Sequence, residues 1–398
     1  MVSESEQPQD QPSIETENTR LHDGVNRCPK CGSTEIQLRP ATGMLVCLYC
    51  RHEWSEASAE EAFGLGEDLD SLDGTIVASG ASDIAEEAQA VLTFKCNGCG
   101  AEVVVDTSNA MNARCHWCRH VLGVNEQIPN GAVPDAVLPF KLTHKEAVER
   151  IRAFANRRRM FAHAGFKREF TPENVMGVYL PYLVIDARAE AEVAGFGEIQ
   201  TRSYTRGSGD DRTRYYDADV YRVRREVKFT VDDLTIESSS ARAVKDPSQN
   251  TNNIINAILP FDTKAAVKWN ASYLAGYTSE RRDRNVEHVT PELEHQLLSI
   301  ARAQVEPSVA KFDRGVRWEE ERLDVHGARW VSMYLPVWLY SYYHVERGLG
   351  MVHYIAVNAR TGETMGSIPV SYPKLWLAAL TTGTVLEGIA AAALWVMA

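Results

Sequence analysis

Eight cysteines, arranged as four Cys-x-x-Cys pairs, limit the fold of this 398-residue chain more than any other feature. All eight lie before residue 119, and no cysteine falls outside the pairs. A spacer of 15 residues separates the first pair from the second, and an equal spacer separates the third from the fourth. This spacing in a long chain is typical of metal binding in a reducing compartment rather than of a disulfide scaffold. The pairs are Cys28 and Cys31, Cys47 and Cys50, Cys96 and Cys99, and Cys115 and Cys118.

Zinc is the metal that this pattern favours. Two Cys-x-x-Cys knuckles that face each other supply the four thiolates of a tetrahedral site, and each spacer is long enough for the hairpin that joins them. The sequence therefore predicts two structural zinc ribbons, over residues 28–54 and 95–124. Thiol redox chemistry is the alternative, but it needs a βαβ scaffold that neither ribbon offers. Because four thiolates fill the coordination sphere, we expect the neighbouring histidines to be surface residues; they are His52, His116 and His120.

The formal net charge of −12 is concentrated in two segments. Residues 1–27 contain six acidic and two basic residues, and residues 55–94 contain ten acidic residues and neither Lys nor Arg. We expect a disordered tail and a flexible acidic linker, respectively, with a short helix near residues 82–90. The acidity argues against a generally basic nucleic-acid binder, and the polar N-terminus does not resemble a signal peptide.

The remainder of the chain contains two short motifs that each occur twice, in the same order. Leu-Pro-Phe precedes a helical pattern, and Tyr-Leu-Pro leads into an apolar strand pattern. We therefore predict an α+β body of two repeat units, 137–257 and 258–373, each a helix followed by antiparallel strands. Chance recurrence is the alternative, because a Leu-Pro-aromatic segment is short and starts many strands. The motifs lie at residues 138–140 and 259–261, and at residues 179–181 and 334–336.

Residues 375–398 are predicted to form one C-terminal transmembrane helix. At 1.5 Å per residue this segment covers roughly 36 Å, which exceeds the ~30 Å hydrocarbon layer. Trp376 and Trp395 would lie at the two interfaces. A helix buried in the body is the alternative, and Glu387 is either a pairing residue or evidence against insertion. The expected location is the inner or plasma membrane, with the bulk of the chain facing the cytoplasm.

The basic stretch at residues 149–168 has two interpretations. It contains seven Lys or Arg residues among twenty, interleaved with apolar ones. A basic amphipathic helix can lie on an anionic membrane or grip a phosphate backbone. The preferred interpretation is a helix whose apolar side packs on the body. The interleaved residues are Ile151, Phe154, Met160, Phe161 and Phe166.

Motifs of catalysis are absent from the sequence. It contains no phosphate-binding Gly-x-x-x-x-Gly-Lys-Ser/Thr loop, no Gly-x-Ser-x-Gly and no His-Glu-x-x-His. The Gly-x-Gly segments at 195–197 and 348–350 lack the third glycine of a dinucleotide fingerprint, and His288 and His295 are poorly spaced for a metal. We therefore expect a protein that is not an enzyme, with no catalytic residue and no small-molecule substrate.

The cysteine modules resemble zinc ribbons of the transcription factor IIB type, over residues 28–54 and 95–124. The whole chain resembles a bacterial family of zinc-ribbon membrane proteins, often labelled as primosomal replication-restart helicase-like. The resemblance implies a membrane-stress or scaffold role without catalytic residues, and some members are linked to flotillin-like (SPFH-domain) and phage-shock-type proteins. This chain departs from the family in having two ribbons and a single short span. The motifs that carry the wider resemblance are Leu138–Phe140, Leu180–Tyr182, Leu335–Trp338 and Thr361–Glu363.

Two functions follow as expectations. The first is a membrane-anchored, non-enzymatic zinc-ribbon adaptor with a flotillin-like membrane partner, in which zinc holds ribbons too small to build cores of their own. The second is a zinc-ribbon regulator of transcription or replication that binds nucleic acid. Against the second stand the acidic linker and the few cations of the second ribbon, which are Lys95, Arg114 and Arg119.

Overall fold

The chain has a mixed α+β fold, seen in a computed structural model that describes most of its residues. Its helices are α1 (Ala59–Phe63), α2 (His144–Arg157), α3 (Val286–Val309) and α4 (Tyr372–Met397). Two small sheets contain β1 (Ile36–Arg39), β2 (Met44–Cys47) and β3 (Glu53–Trp54), and β5 (Val91–Lys95) and β6 (Glu102–Asp106). The residues described are 27–84, 91–95, 102–106, 133–158, 160, 162–163, 165–166, 171–207, 212–240, 258–280, 282–346 and 349–397.

A nine-stranded sheet forms the body, and two very long antiparallel strands run through its centre. These two strands are β8 (Val175–Arg206) and β12 (Val316–Glu346). Strand β9 (Thr213–Glu237) lies beside β8, and β13 (Leu349–Asn358) and then β14 (Thr364–Gly366) lie beside β12. Short strands complete the sheet, and they are β4 (Gly74–Val77), β7 (Ala136–Val137), β10 (Val267–Lys268) and β11 (Thr278–Ser279). Of these, β4 and β7 are parallel to β12.

The two Tyr-Leu-Pro segments meet at the middle of this sheet. Leu180 lies opposite Leu335 in the antiparallel register, so each motif pairs with the other about a local twofold axis. Helix α2 of the first unit packs near β13 of the second, and helix α3 of the second unit packs near β9 of the first. A twofold axis relates these two contacts to each other. The units 137–257 and 258–373 therefore share one sheet instead of forming separate domains. Their origin by duplication stays a prediction.

The middle portions of the central strands, residues 178–187 and 327–338, are buried on both faces of the sheet. Successive side chains on a strand point to opposite faces, so each face needs its own covering layer. On one face, α2 and α3 cover the sheet, and α3 contributes a buried apolar residue every fourth position, as an amphipathic helix requires. On the other face, Leu180 and Leu335 pack with Leu138, Ile258 and Phe261 from the two Leu-Pro-Phe segments. The residues that α3 buries are Val289, Leu293, Leu297, Ala301, Val305 and Val309.

The acidic segment that was predicted to be a flexible linker is instead part of the body over residues 55–84. Ala59 and Leu65 lie in the core, and β4 pairs with β12. Glu67 forms an ion pair with Arg329, whose side chain is only 7% exposed. The prediction was wrong because overall composition hides the few apolar residues that anchor the segment. Residues 82–84 are not helical, and the rest of the short helix expected near 82–90 lies outside the described residues.

The basic stretch begins within helix α2, whose apolar side packs on the body, as the preferred interpretation predicts. The N-terminus of the helix has a capping box, in which Thr143 and Glu146 bond each other's backbone, and its side chains Ile151 and Phe154 are buried. Phe166 is buried too, whereas Met160 is 71% exposed. The apolar side of this stretch is therefore mostly core, and Phe161 lies outside the described residues.

The C-terminal segment forms helix α4, but the prediction that residues 375–398 cross a membrane is not met. In the part of the chain that the structure describes, no helix combines the length and the apolarity that a membrane span requires. Three threonines and Glu387 interrupt the apolar sequence of this helix. The hydroxyls of Thr381 and Thr382 donate hydrogen bonds to the carbonyl of Ala378, at 2.9 and 2.8 Å.

Candidate metal centre

The first cysteine module folds as its spacing predicts. Strands β1 and β2 pair from Ile36 opposite Cys47 to Arg39 opposite Met44, and β3 adds to β2. Gly43 makes the turn between the strands with a φ of 71°, a conformation that favours glycine. The hairpin returns the second knuckle to the first, so the four cysteines lie together. They are Cys28, Cys31, Cys47 and Cys50.

The four sulfur atoms have the spacing of a tetrahedral zinc site. All lie within 4.8 Å of one another, with 3.6 Å between the Sγ atoms of Cys28 and Cys50 and 3.6 Å between those of Cys31 and Cys47. Zinc–sulfur bonds of about 2.3 Å in a tetrahedron place the sulfurs about 3.8 Å apart. The donor set is soft and complete, so these residues fit a structural zinc ion.

The two knuckles share one backbone geometry. In each knuckle, the residue after the second cysteine has a positive φ, which is 77° at Gly32 and 62° at Arg51. Each donates its N–H to the carbonyl of the first cysteine, from Gly32 to Cys28 at 2.9 Å and from Arg51 to Cys47 at 3.0 Å. The backbone amide of Cys50 also donates to the Sγ of Cys47 at 3.5 Å. These turns point both thiols of each knuckle to the same side.

The pKa values of two neighbouring thiols shift in opposite directions. The backbone amides of Cys50 and Tyr49 lower the pKa of Cys47 to about 6. A backbone hydrogen bond at Ser33 lowers the pKa of Cys31, but burial and the other thiols outweigh it and raise that pKa to about 12. Four thiols at this spacing cannot all ionise without a cation, so the binding of a zinc ion here would release protons.

The first ribbon packs directly against the body. Leu38 and Leu45 belong to the same buried cluster as Phe140 and Tyr179, and Trp54 packs against it. His52, predicted to be a surface residue, stacks on Trp54 with ring centroids 5.8 Å apart. The position of the metal centre is therefore fixed relative to the large sheet.

The second knuckle carries an exposed apolar tip that the cysteine spacing did not reveal. Tyr49 is 79% exposed and Leu48 is 41% exposed, although both lie between two members of the four-cysteine cluster. The backbone amide of Leu48 donates to the carbonyl of Glu35 at 2.9 Å, which holds the knuckle against the start of the hairpin. The signal in the sequence was the Cys-Leu-Tyr-Cys composition of the knuckle, because knuckle residues other than the ligands face outward.

The second cysteine module lies mostly outside the described residues. Its ligands lie outside the described residues, and the structure places only the backbone pairing of β5 with β6, from Val91 opposite Asp106 to Lys95 opposite Glu102. Within the described residues, one four-cysteine cluster is present. The second zinc site stays a prediction, and its ligands are Cys96, Cys99, Cys115 and Cys118.

Comparison with known proteins identifies one distant relative. Over 266 residues the chain is 23% identical to Uncharacterized protein YdjG of Bacillus subtilis (strain 168). The matched region covers 66% of this chain and 72% of that protein. No family model matches the sequence. No solved structure matches it either. Membership of the zinc-ribbon membrane protein family therefore stays a prediction from motifs.

Proposed function

We propose that this protein is a non-enzymatic zinc-ribbon adaptor that binds a protein partner at a membrane. The observation that carries the proposal is the exposed pair Leu48 and Tyr49, held outward between two ligands of the four-cysteine cluster. Tyrosine is one of the residues enriched in the energetic hot spots of protein interfaces, and here Leu48 extends the apolar surface beside it. Because the ribbon is packed on the body, a partner bound at this tip is positioned relative to the whole molecule.

The coordination chemistry supports a structural role for the metal. Catalytic zinc keeps an open position for water or substrate, whereas four thiolates close the coordination sphere. The zinc ion would therefore hold the knuckles and present their tips, and it would supply no Lewis acid to a substrate.

Helix α4 supports a location at a membrane surface. Its first turns expose several large apolar side chains together, which is unusual for a surface in water. Lys374 lies at the start of this helix, and its Nζ donates to the carbonyl of Ala162 at 3.3 Å. Apolar side chains with a cation at their edge suit the interface of an anionic membrane. The exposed residues are Tyr372, Leu375, Trp376, Leu377 and Leu380.

The partner class follows from the motif resemblance. We propose a flotillin-like membrane protein that faces the cytoplasm, as the related zinc-ribbon proteins suggest. Affinity purification from detergent-solubilised native membranes, followed by mass spectrometry, tests this class directly. Recovery of a stoichiometric membrane scaffold is the expected result.

Replacing Tyr49 by alanine should lower the recovery of that partner at least tenfold. A buried aromatic anchor contributes ~2 kcal/mol or more to an interface, and 1.4 kcal/mol already changes affinity tenfold. The measurement is the same purification, with zinc content and thermal stability recorded for each variant. Tyr216→Ala is the matched control, because this tyrosine is also exposed and lies far along the sequence on β9. Equal recovery with Tyr49→Ala and wild type would contradict the proposed contact.

Nucleic-acid regulation is the second candidate, and one observation favours it. The exposed ring of Tyr49 is flanked in the sequence by Arg51, and Lys30 lies on the facing knuckle. Bases stack on exposed aromatic rings beside cations. A salt titration of the full chain against single- and double-stranded DNA separates the two candidates. Binding that is tight at physiological salt, depends on base sequence and requires Tyr49 would favour the regulator over the adaptor.

A further inference from the structure

Three aspartates meet where the hairpin of β8 and β9 is irregular. The register shifts between Ile185 and Ala187, so that one residue of β8, Asp186, faces two residues of β9, Asp232 and Asp233. Asp233 adopts a φ of 56°, and its backbone amide donates to Oδ1 of Asp186 at 3.0 Å. One carboxylate oxygen from each aspartate lies within 4.8 Å of the others. The bulge thus gathers three carboxylates at one point.

The buried member of the group has an oxygen that lacks a hydrogen bond. The side chain of Asp186 is 0% exposed, and its Oδ2 accepts from no donor among the described residues. Its nearest cationic atom is Nη1 of Arg329 at 3.8 Å, and that guanidinium already pairs with Glu67 and with the carbonyl of Gly64. A buried carboxylate oxygen without a hydrogen-bond donor is costly, so this atom would be stabilised by a cation that binds it directly.

The residues around the three aspartates do not neutralise their combined negative charge. Lys264 lies 3.6 Å from Asp232, and Thr263 donates its hydroxyl to Oδ2 of Asp233 at 2.6 Å. Burial, reinforced by the charges of Asp233 and Asp232, raises the pKa of Asp186 to about 6. Glu60 adds further negative charge near Asp233. A divalent ion would neutralise the group where Lys264 and Arg329 do so incompletely.

We propose that Asp186, Asp232 and Asp233 bind a calcium ion. Carboxylate oxygens are the ligands that hard divalent cations require, and calcium accepts irregular oxygen geometry completed by water, whereas magnesium demands a near-ideal octahedron. Asp186 supplies the buried oxygen, and Asp232 supplies an exposed one at the mouth of the site. The ion would join the base of the long hairpin to the layer that contains Thr263. This site is independent of the zinc ribbon and of the proposed adaptor function.

Calorimetric titration of the zinc-loaded full chain, freed of other divalent ions, with calcium chloride tests the proposal. One saturable site per chain is expected, with a dissociation constant in the micromolar to millimolar range, together with a rise in the melting temperature as calcium is added. Asp232→Asn should weaken binding at least tenfold, and it should leave the fold intact because this side chain is half exposed. Asp219→Asn, an exposed carboxylate on the same strand, is the matched control and should bind as the wild type does.

Two results would overturn the site. The first is the absence of saturable calcium binding up to 10 mM ion, which is about tenfold above the weakest dissociation constants of extracellular calcium modules. The second is equal affinity of the wild type and Asp232→Asn. Binding of magnesium in preference to calcium would overturn the choice of ion. Asp186→Asn supplies a further measurement: in calcium-free buffer its melting temperature should equal or exceed that of the wild type, whereas the rise on adding calcium should disappear.

Discussion

Replacing Cys47 by serine should unfold the first ribbon and lower the free energy of unfolding of the whole chain by about 3 kcal/mol or more. A zinc ion held by the four thiolates would couple metal binding to folding of the ribbon, since so small a module has few apolar residues of its own. Loss of the ribbon then exposes Leu38 and Leu45, which are 3% and 0% exposed and belong to the core of the body. The destabilisation therefore extends beyond the 27 residues of the module.

Metal analysis and thermal denaturation together check this prediction. Cys47→Ser should lose one zinc ion per chain, and a chelator should lower the melting temperature of the wild type more than that of the variant. Tyr49→Ala is the control, because it alters the same knuckle without removing a ligand, and it should retain zinc and stability. If Cys47→Ser kept the full zinc content, the assignment of the four-thiolate site would be wrong.

Asn358→Ala should destabilise the body by about 3 kcal/mol, which is large for one polar side chain. The Asn358 amide is buried and donates to the carbonyls of Ile258 and Pro260, at 2.9 and 3.0 Å. Its Oδ1 accepts from the backbone amides of Arg360 and Thr361, at 2.9 and 3.1 Å. Alanine would remove all four hydrogen bonds and leave the buried carbonyl of Ile258 without this donor.

Chemical denaturation of Asn358→Ala beside Glu363→Ala tests the assignment. Glu363 is exposed in the same turn, so its replacement should change the free energy of unfolding by no more than about 0.5 kcal/mol. Asn358→Asp should be at least as damaging as Asn358→Ala, because a carboxylate would then face the two carbonyls that the amide now serves. Equal stability of Asn358→Ala and wild type would show that water or a rearranged turn replaces the amide.

Several elements could be predicted because their causes are local. The strand, turn and strand between Cys31 and Cys47 follow from Gly43 and from alternating apolar residues, and the structure has them. Helix α2 could be predicted because a helical pattern follows the first Leu-Pro-Phe segment, and the structure adds the capping box of Thr143 and Glu146. The recurrence of Leu-Pro-Phe and Tyr-Leu-Pro indicated related segments, and the structure brings Leu180 opposite Leu335.

Other features depended on distant partners and could not be predicted. The acidic segment 55–84 is held by β12 and by Arg329, which lie more than 200 residues away in the chain. Its charge suggested repulsion, yet a few apolar residues such as Leu65 suffice when the sheet offers them a place. The length of the C-terminal apolar segment indicated a membrane span, and the threonines and Glu387 within it weigh against one.

The sequence by itself determined the four-cysteine cluster that could hold a zinc ion, because a Cys-x-x-Cys knuckle sets its own geometry over four or five residues and zinc accepts few donor sets. It also determined that no familiar catalytic motif is present. Only the tertiary structure decided that the ribbon is packed on the body and that Tyr49 is exposed. It alone brought Asp186 to Asp232 and Asp233. Burial and proximity arise from strand register, and register is set by long-range packing that no local spacing records.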